Sequence, residues 1–139
     1  MYRGGPYRVQ RPLDADPCYR RRPVCHVLII EDEPLVAMNI EMILADAGAT
    51  SFSFAATEDE AVEMAHQHHP TLITSDVKLE NGCGPAAVAR ILDALGPTPV
   101  IFITASPDEC DPCHASAKIL VKPVTDDAVT QAFHQLVRL

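Results

Sequence analysis

A chain of 139 residues, 47% hydrophobic and 22% charged, is the size of one domain with one proper core. It holds no apolar run of about eighteen residues and no apolar stretch behind its first arginines, so neither a membrane span nor a secretory leader is expected, and the five cysteines read as reduced thiols of a cytoplasmic protein. The net charge is −8, of which residues 1–23 carry +4 and the remainder −12; so acidic a body disfavours direct nucleic-acid binding and suits a divalent cation.

Residues 1–23 hold six arginines, four prolines and two glycines, with Val9 and Leu13 almost alone as aliphatic residues. Such a segment buries too little apolar area to offset its ordering entropy, which predicts a disordered, basic and proline-rich tail ahead of a domain over 24–139. Val24 to Ile30 is a short apolar run that stops at Glu31 and Asp32, as a fully buried strand does. Pro34 suits a first helical turn, and Val36, Ile40, Ile43 and Ala47 recur at helical spacing up to Gly48. A weaker strand follows over 50–55. Thr57 and Glu60 form a capping box that opens a second helix, closed by Pro70. Leu72 to Ser75 is a buried strand ending at Asp76, and a third helix runs from Pro85 to Leu95, with Gly96 as its stop. Val100 to Ile103 is a strand ending at Thr104, and Ile119 to Val121 is another ending at Lys122. Thr125 caps a last helix whose first turn carries Asp126 and Asp127, favourable at a positive dipole end.

Strand and helix alternating in this way predict an α/β domain with a doubly wound, five-stranded parallel sheet covered on both faces. In such sheets ligands bind beyond the carboxyl ends of the strands, near the switch in strand order. Glu31 and Asp32 follow the first strand, Asp76 the third, Thr104 the fourth and Lys122 the fifth, so three carboxylates, a hydroxyl and an amine meet at one end. Three clustered carboxylates repel one another and raise one another's pKa unless a cation joins them. Mg²⁺ fits, being oxygen-seeking and content with few carboxylates plus a phosphate. With it, one carboxylate can attack a phosphoryl group while Lys122 and Thr104 share the phosphoryl oxygens.

The stretches LIIEDEP, LITSDVKLENGCG, FITAS and LVKP resemble the receiver domains of bacterial response regulators, and the resemblance covers residues 25–139. It implies the flavodoxin-like strand order 2-1-3-4-5, with Asp76 as phosphoacceptor and Glu31, Asp32 and Asp76 holding Mg²⁺ with the backbone carbonyl of Lys78. Thr104 is then the switch hydroxyl and Lys122 the phosphate-pairing lysine, joined to Pro123 by a cis bond. The implied partners are a histidine kinase or histidine phosphotransfer protein and an output protein the sequence does not name, with no direct nucleic acid and no membrane. A monomer or weak dimer is expected. The wording EDEP and DVKLENG is most similar to alphaproteobacterial receivers linked to general stress signalling. With no DNA-binding or enzymatic domain after Leu139, a stand-alone receiver is expected.

Two features depart from the family. The position three before the lysine, often aromatic, is Ile119, so the aromatic half of the switch is missing. Only 17 residues separate Thr104 from Lys122, and Pro107, Asp111 and Pro112 interrupt them, so the helix between the fourth and fifth strands is expected to be shortened or lost. Two other readings compete. A phosphohydrolase with an aspartyl nucleophile commonly carries a second aspartate two residues on, where Lys78 stands here, which argues against a turnover enzyme. A degenerate receiver would work as a protein-binding module, modulated by redox or metal at Cys110 and Cys113. With His114 those cysteines spell C-x-x-C-H, but haem attachment needs export, and two thiols with one histidine make an incomplete zinc site. His66, His68 and His69 read as a solvated helix end, Cys25 as a buried strand residue, and Cys83 as a partly exposed neighbour of the site.

Overall fold

The computed structural model describes residues 24–107 and 117–137. Among them run β1 (His26–Ile30), α1 (Pro34–Ala47), β2 (Ser51–Ala55), α2 (Glu58–Gln67), β3 (Leu72–Ser75), α3 (Gly84–Leu95), β4 (Val100–Thr104), β5 (Lys118–Val121) and α4 (Asp126–Leu136). All four strand pairings are parallel and the order is β2-β1-β3-β4-β5, so the chain reverses direction across the sheet between β1 and β3. This is the doubly wound parallel sheet the alternation predicts, in the 2-1-3-4-5 order the resemblance implies. The 1–23 segment, and residues 108–116 where the shortened helix was expected, lie outside the described residues, as do Cys110, Cys113 and His114.

Local chemistry sets the boundaries. α1 starts on Pro34 and ends at Gly48, whose φ of 127° lets its N–H and that of Ala49 reach back to the Leu44 carbonyl at 3.1 and 2.9 Å. The Thr57 hydroxyl accepts from the Glu60 N–H at 3.1 Å, while the Glu60 carboxylate accepts from the Ala56 N–H at 2.8 Å. That reciprocal cap opens α2 as the sequence predicts. Thr125 caps α4 in the same manner, accepting from the Ala128 N–H at 3.1 Å. α3 begins one residue earlier than expected, at Gly84.

β1, β3 and β4 are buried on both faces and divide the core into two layers. Leu28, Ile30, Ile73 and Phe102 pack under α2 and α3 against Ala61, Ala65, Val88 and Ile91. Val27, Ile29, Leu72, Ile101 and Ile103 pack under α1 and α4 against Ile40, Leu44, Val129 and Phe133. Truncating a fully buried ring such as Phe133 costs about 3–5 kcal/mol in such a layer. Thr74 shares a register line with Ile29 and Ile101, and its buried hydroxyl has no hydrogen-bond partner among the described residues. β5 is an edge strand with Ile119 and Val121 exposed. No helix among the described residues is long and apolar enough to cross a membrane.

Candidate functional site

Parallel strands bring their carboxyl ends to one rim, and the acids and the lysine sit just beyond those ends. The Asp76 N–H donates to the Ile30 carbonyl at 3.0 Å, which seats β3's last turn beside Glu31. The Lys122 N–H donates to the Thr104 carbonyl at 2.8 Å, which carries β5's pairing with β4 one residue past the strand. Carboxylate oxygens of Glu31, Asp32 and Asp76 lie within 4.8 Å of one another. The Lys122 ammonium donates to Asp76 Oδ2 at 3.1 Å and stands 3.6 Å from Glu31 Oε1. The Lys122–Pro123 peptide is cis.

The two acids that Lys122 touches differ in burial. The Glu31 side chain is 2% exposed, and burial pushes its carboxyl up to about 7. The Glu33 N–H bonded to Glu31 Oε2 at 3.2 Å and the Lys122 charge pull the other way, and Asp76 pushes with burial. For Lys122 burial opposes the charge, but the Asp76 hydrogen bond and the nearby acids Glu31, Asp76 and Glu33 outweigh it and hold the ammonium above its ordinary value. Asp76 stays reachable: its side chain is 13% exposed, and its Oδ1 accepts the Val77 N–H at 2.7 Å.

Thr104 is buried, and its hydroxyl accepts from the Ser106 N–H at 2.9 Å, which ties it to the loop that follows β4. Lys78 lies two residues past Asp76 with its side chain exposed and its backbone bridged to Cys83, so the segment 77–84 doubles back on itself. The Gly84 N–H donates to the Val77 carbonyl at 2.8 Å and closes that return. Gly84 is a requirement that sequence reasoning missed. A Cβ there would fall on the Asp76 carbonyl oxygen and the Ser75 hydroxyl, and the second of these already donates to the first at 2.7 Å. The only signal in the sequence is a glycine placed before Pro85 at a helix start. Cys83 is exposed and Cys25 buried, as expected.

Residues 27–134 match the family model of the response regulator receiver domain. The chain belongs to that family. It is 40% identical over 83 residues to the phyllosphere-induced regulator PhyR of Methylorubrum extorquens, a match over 59% of this chain and 31% of that protein. It is 36% identical over 92 residues to the transcriptional regulatory protein PdtaR of Mycobacterium tuberculosis, over 66% of this chain and 42% of that one. Among solved structures, the receiver domain of Erythrobacter litoralis PhyR superposes with a TM-score of 0.74 at 33% identity, covering 81% of this chain and 89% of that one. The anti-anti-sigma factor PhyR of Bartonella quintana superposes at 0.70 with 38% identity, over 84% of this chain and 49% of that one. The receiver thus spans less than half of the curated PhyR and PdtaR proteins it matches. Its match to a protein-glutamate methylesterase of Natronomonas pharaonis spans 23% of that protein. As a receiver, the chain is a signalling module of a phosphorelay.

Proposed function

We propose that Asp76 accepts the phosphoryl group, with Glu31 and Asp32 completing a magnesium site and Thr104 and Lys122 reading the product. The observation that carries this is the clustering of three carboxylates within 4.8 Å of one another, two of which, Asp76 and Glu31, face the Lys122 ammonium that donates to Asp76. The donor set is all oxygen and its three acids are clustered, so a small hard dication fits it. Glu31, Asp32, Asp76 and the Lys78 backbone carbonyl would hold that ion, which neutralises charge on an acyl phosphate when bound.

In the transfer an Asp76 oxygen bonds to phosphorus as the P–N bond of a phosphohistidine donor breaks. The bonding pair stays on the imidazole nitrogen, which takes up a proton from solvent as the ring leaves. Lys122 trades its bond to Asp76 for one to a phosphoryl oxygen, so its charge stays matched throughout. Thr104 reaches the phosphate by donating a hydrogen bond from its hydroxyl, and this draws the loop holding Ser106 along. The donor is a histidine kinase or a histidine phosphotransfer protein. α1 supports this, because Leu35, Met38 and Met42 stand 55–79% exposed on its outer face, starting three residues past Asp32. An output through protein binding is supported by the exposed Ile119 and Val121 on β5 and by the name anti-anti-sigma factor carried by the Bartonella relative.

Incubation with acetyl phosphate and Mg²⁺ tests the assignment. Intact mass is expected to rise by one phosphoryl group, and Asp76→Asn to remove the gain. Equal labelling of the two proteins would move the acceptor elsewhere.

A further inference from the structure

At the amino end of the sheet, opposite Asp76, a second polar cluster has no part in phosphoryl chemistry. His26 opens β1 and is 97% buried by its 3% exposure, yet it is a polar ring at the edge of an aliphatic layer. Its Nδ1 lies 2.7 Å from the Ser51 hydroxyl and its Nε2 lies 2.7 Å from the Ser53 hydroxyl, both on β2. The face of its ring is stacked on His68, with centroids 3.5 Å apart and planes 9° from parallel. His68 is the exposed C-cap of α2, its N–H donating to the Met64 carbonyl at 3.0 Å. The other end of the α2–β3 connection is tied to the same residue: the Thr71 N–H and hydroxyl both donate to the His26 carbonyl, at 2.8 and 3.0 Å.

The proton inventory of this cluster is tight. A neutral imidazole offers one donor and one acceptor, and the two serine hydroxyls match both in either tautomer. His68 is exposed at the C-terminal end of α2, while His26 is buried. A single cation laid on a neutral ring is compatible with the stack. A second proton sets two like charges face to face with one of them buried, which the stack cannot hold. The groups facing His26 are the Ser51 and Ser53 hydroxyls from β2, Thr71 from the start of β3 and His68 from the end of α2. His66 turns its Nδ1 to the Val62 carbonyl at 2.9 Å, and His69 is exposed. Burial first, and the His68 charge second, hold His26 below its ordinary value of 6.5.

We propose that His26 and His68 form an acid-opened latch, in which the second proton expels His68 from the stack and releases the α2–β3 corner, residues 66–71. Above the histidine range the corner is clamped at both ends to His26. Below it, His68 swings into solvent, His26 keeps its serine partners, and the corner becomes mobile and positively charged. The end of the sheet that carries Asp76 is not required to move.

The test is a pH series on the full chain from 7.5 to 5, reading histidine ring signals by NMR and amide exchange over 66–71. Glu31→Gln is run beside the wild type as a control for titration of the carboxyl at the far end of the sheet. Wild-type rings are expected to titrate in two separated steps, with corner exchange accelerating on the second after correction for intrinsic pH dependence. His68→Phe keeps a flat ring and removes the charge, so the His26 step moves up and the acid-driven opening is lost. His68→Ala removes the stack, so the corner exchanges fast at every pH. Opening in His68→Phe with the wild-type pH dependence, or two wild-type rings titrating as one independent step, overturns the latch.

Discussion

Glu31→Gln isolates the electrostatic strain that the metal-free receiver carries. Glu31 has an ordinary value of 4.5 and sits at about 7 in the folded chain, chiefly because it is buried. At about 1.4 kcal/mol per pH unit, holding it ionised in the folded state costs about 2–3 kcal/mol, allowing for its coupling to Lys122 and Asp76. The sign follows from proton binding. Between 4.5 and about 7 the folded protein keeps a proton that the unfolded chain has lost, so wild-type stability falls as pH rises through that window and levels off above it. Glutamine keeps the shape and never ionises. The variant is therefore expected to match wild type near pH 4.5 and to exceed it by about 2–3 kcal/mol at pH 8 without Mg²⁺. For a domain of this size that is a melting temperature higher by about 10 °C. Urea unfolding in EDTA at several pH values measures it. A variant less stable than wild type at pH 8, or one with an unchanged pH slope, would refute the account of Glu31.

Other expectations follow from single contacts. Thr74→Val replaces a buried hydroxyl without a partner among the described residues by a methyl of the same shape, so it stabilises by about 1 kcal/mol in urea melts; destabilisation would mean the hydroxyl is satisfied. Gly84→Ala forces the Asp76 carbonyl and Ser75 hydroxyl aside, costing about 1–3 kcal/mol and slowing acetyl phosphate labelling, both read on one preparation. Lys122→Ala leaves Asp76 and Glu31 without their ammonium, so stability at pH 8 without Mg²⁺ drops by about 1–3 kcal/mol and recovers as pH falls and Glu31 takes its proton. Thermal melts across pH check that recovery.

The fold was legible where the determinants are local. Aliphatic runs that stop at Glu31, Asp76, Thr104 and Lys122 mark strand ends, and parallel pairing then brings those residues to one rim whatever the details of packing. The Thr57–Glu60 box and Thr125 work within one helical turn, so sequence spacing alone finds them. What was not legible depends on contacts between distant segments. Gly84 is needed only because the chain returns against the Asp76 carbonyl, a contact made by the loop's path rather than by any helix signal. His68 reads as a solvated helix end until β1 places His26 under its ring. Glu31 and Asp32 look equivalent as neighbours in sequence, and nothing local announces that the fold buries Glu31, which is what chiefly pushes its carboxyl up to about 7.

The central claim is the identity of the phosphoacceptor, and the most direct measurement locates the acyl phosphate itself. The receiver is phosphorylated with acetyl phosphate and Mg²⁺, reduced with borohydride, which converts an aspartyl phosphate to homoserine, and mapped by peptide mass spectrometry. The account predicts homoserine at position 76 alone. Homoserine at position 32, a reduced glutamyl side chain at 31, or a borohydride-resistant phosphate on Ser75 or Thr104 would contradict it.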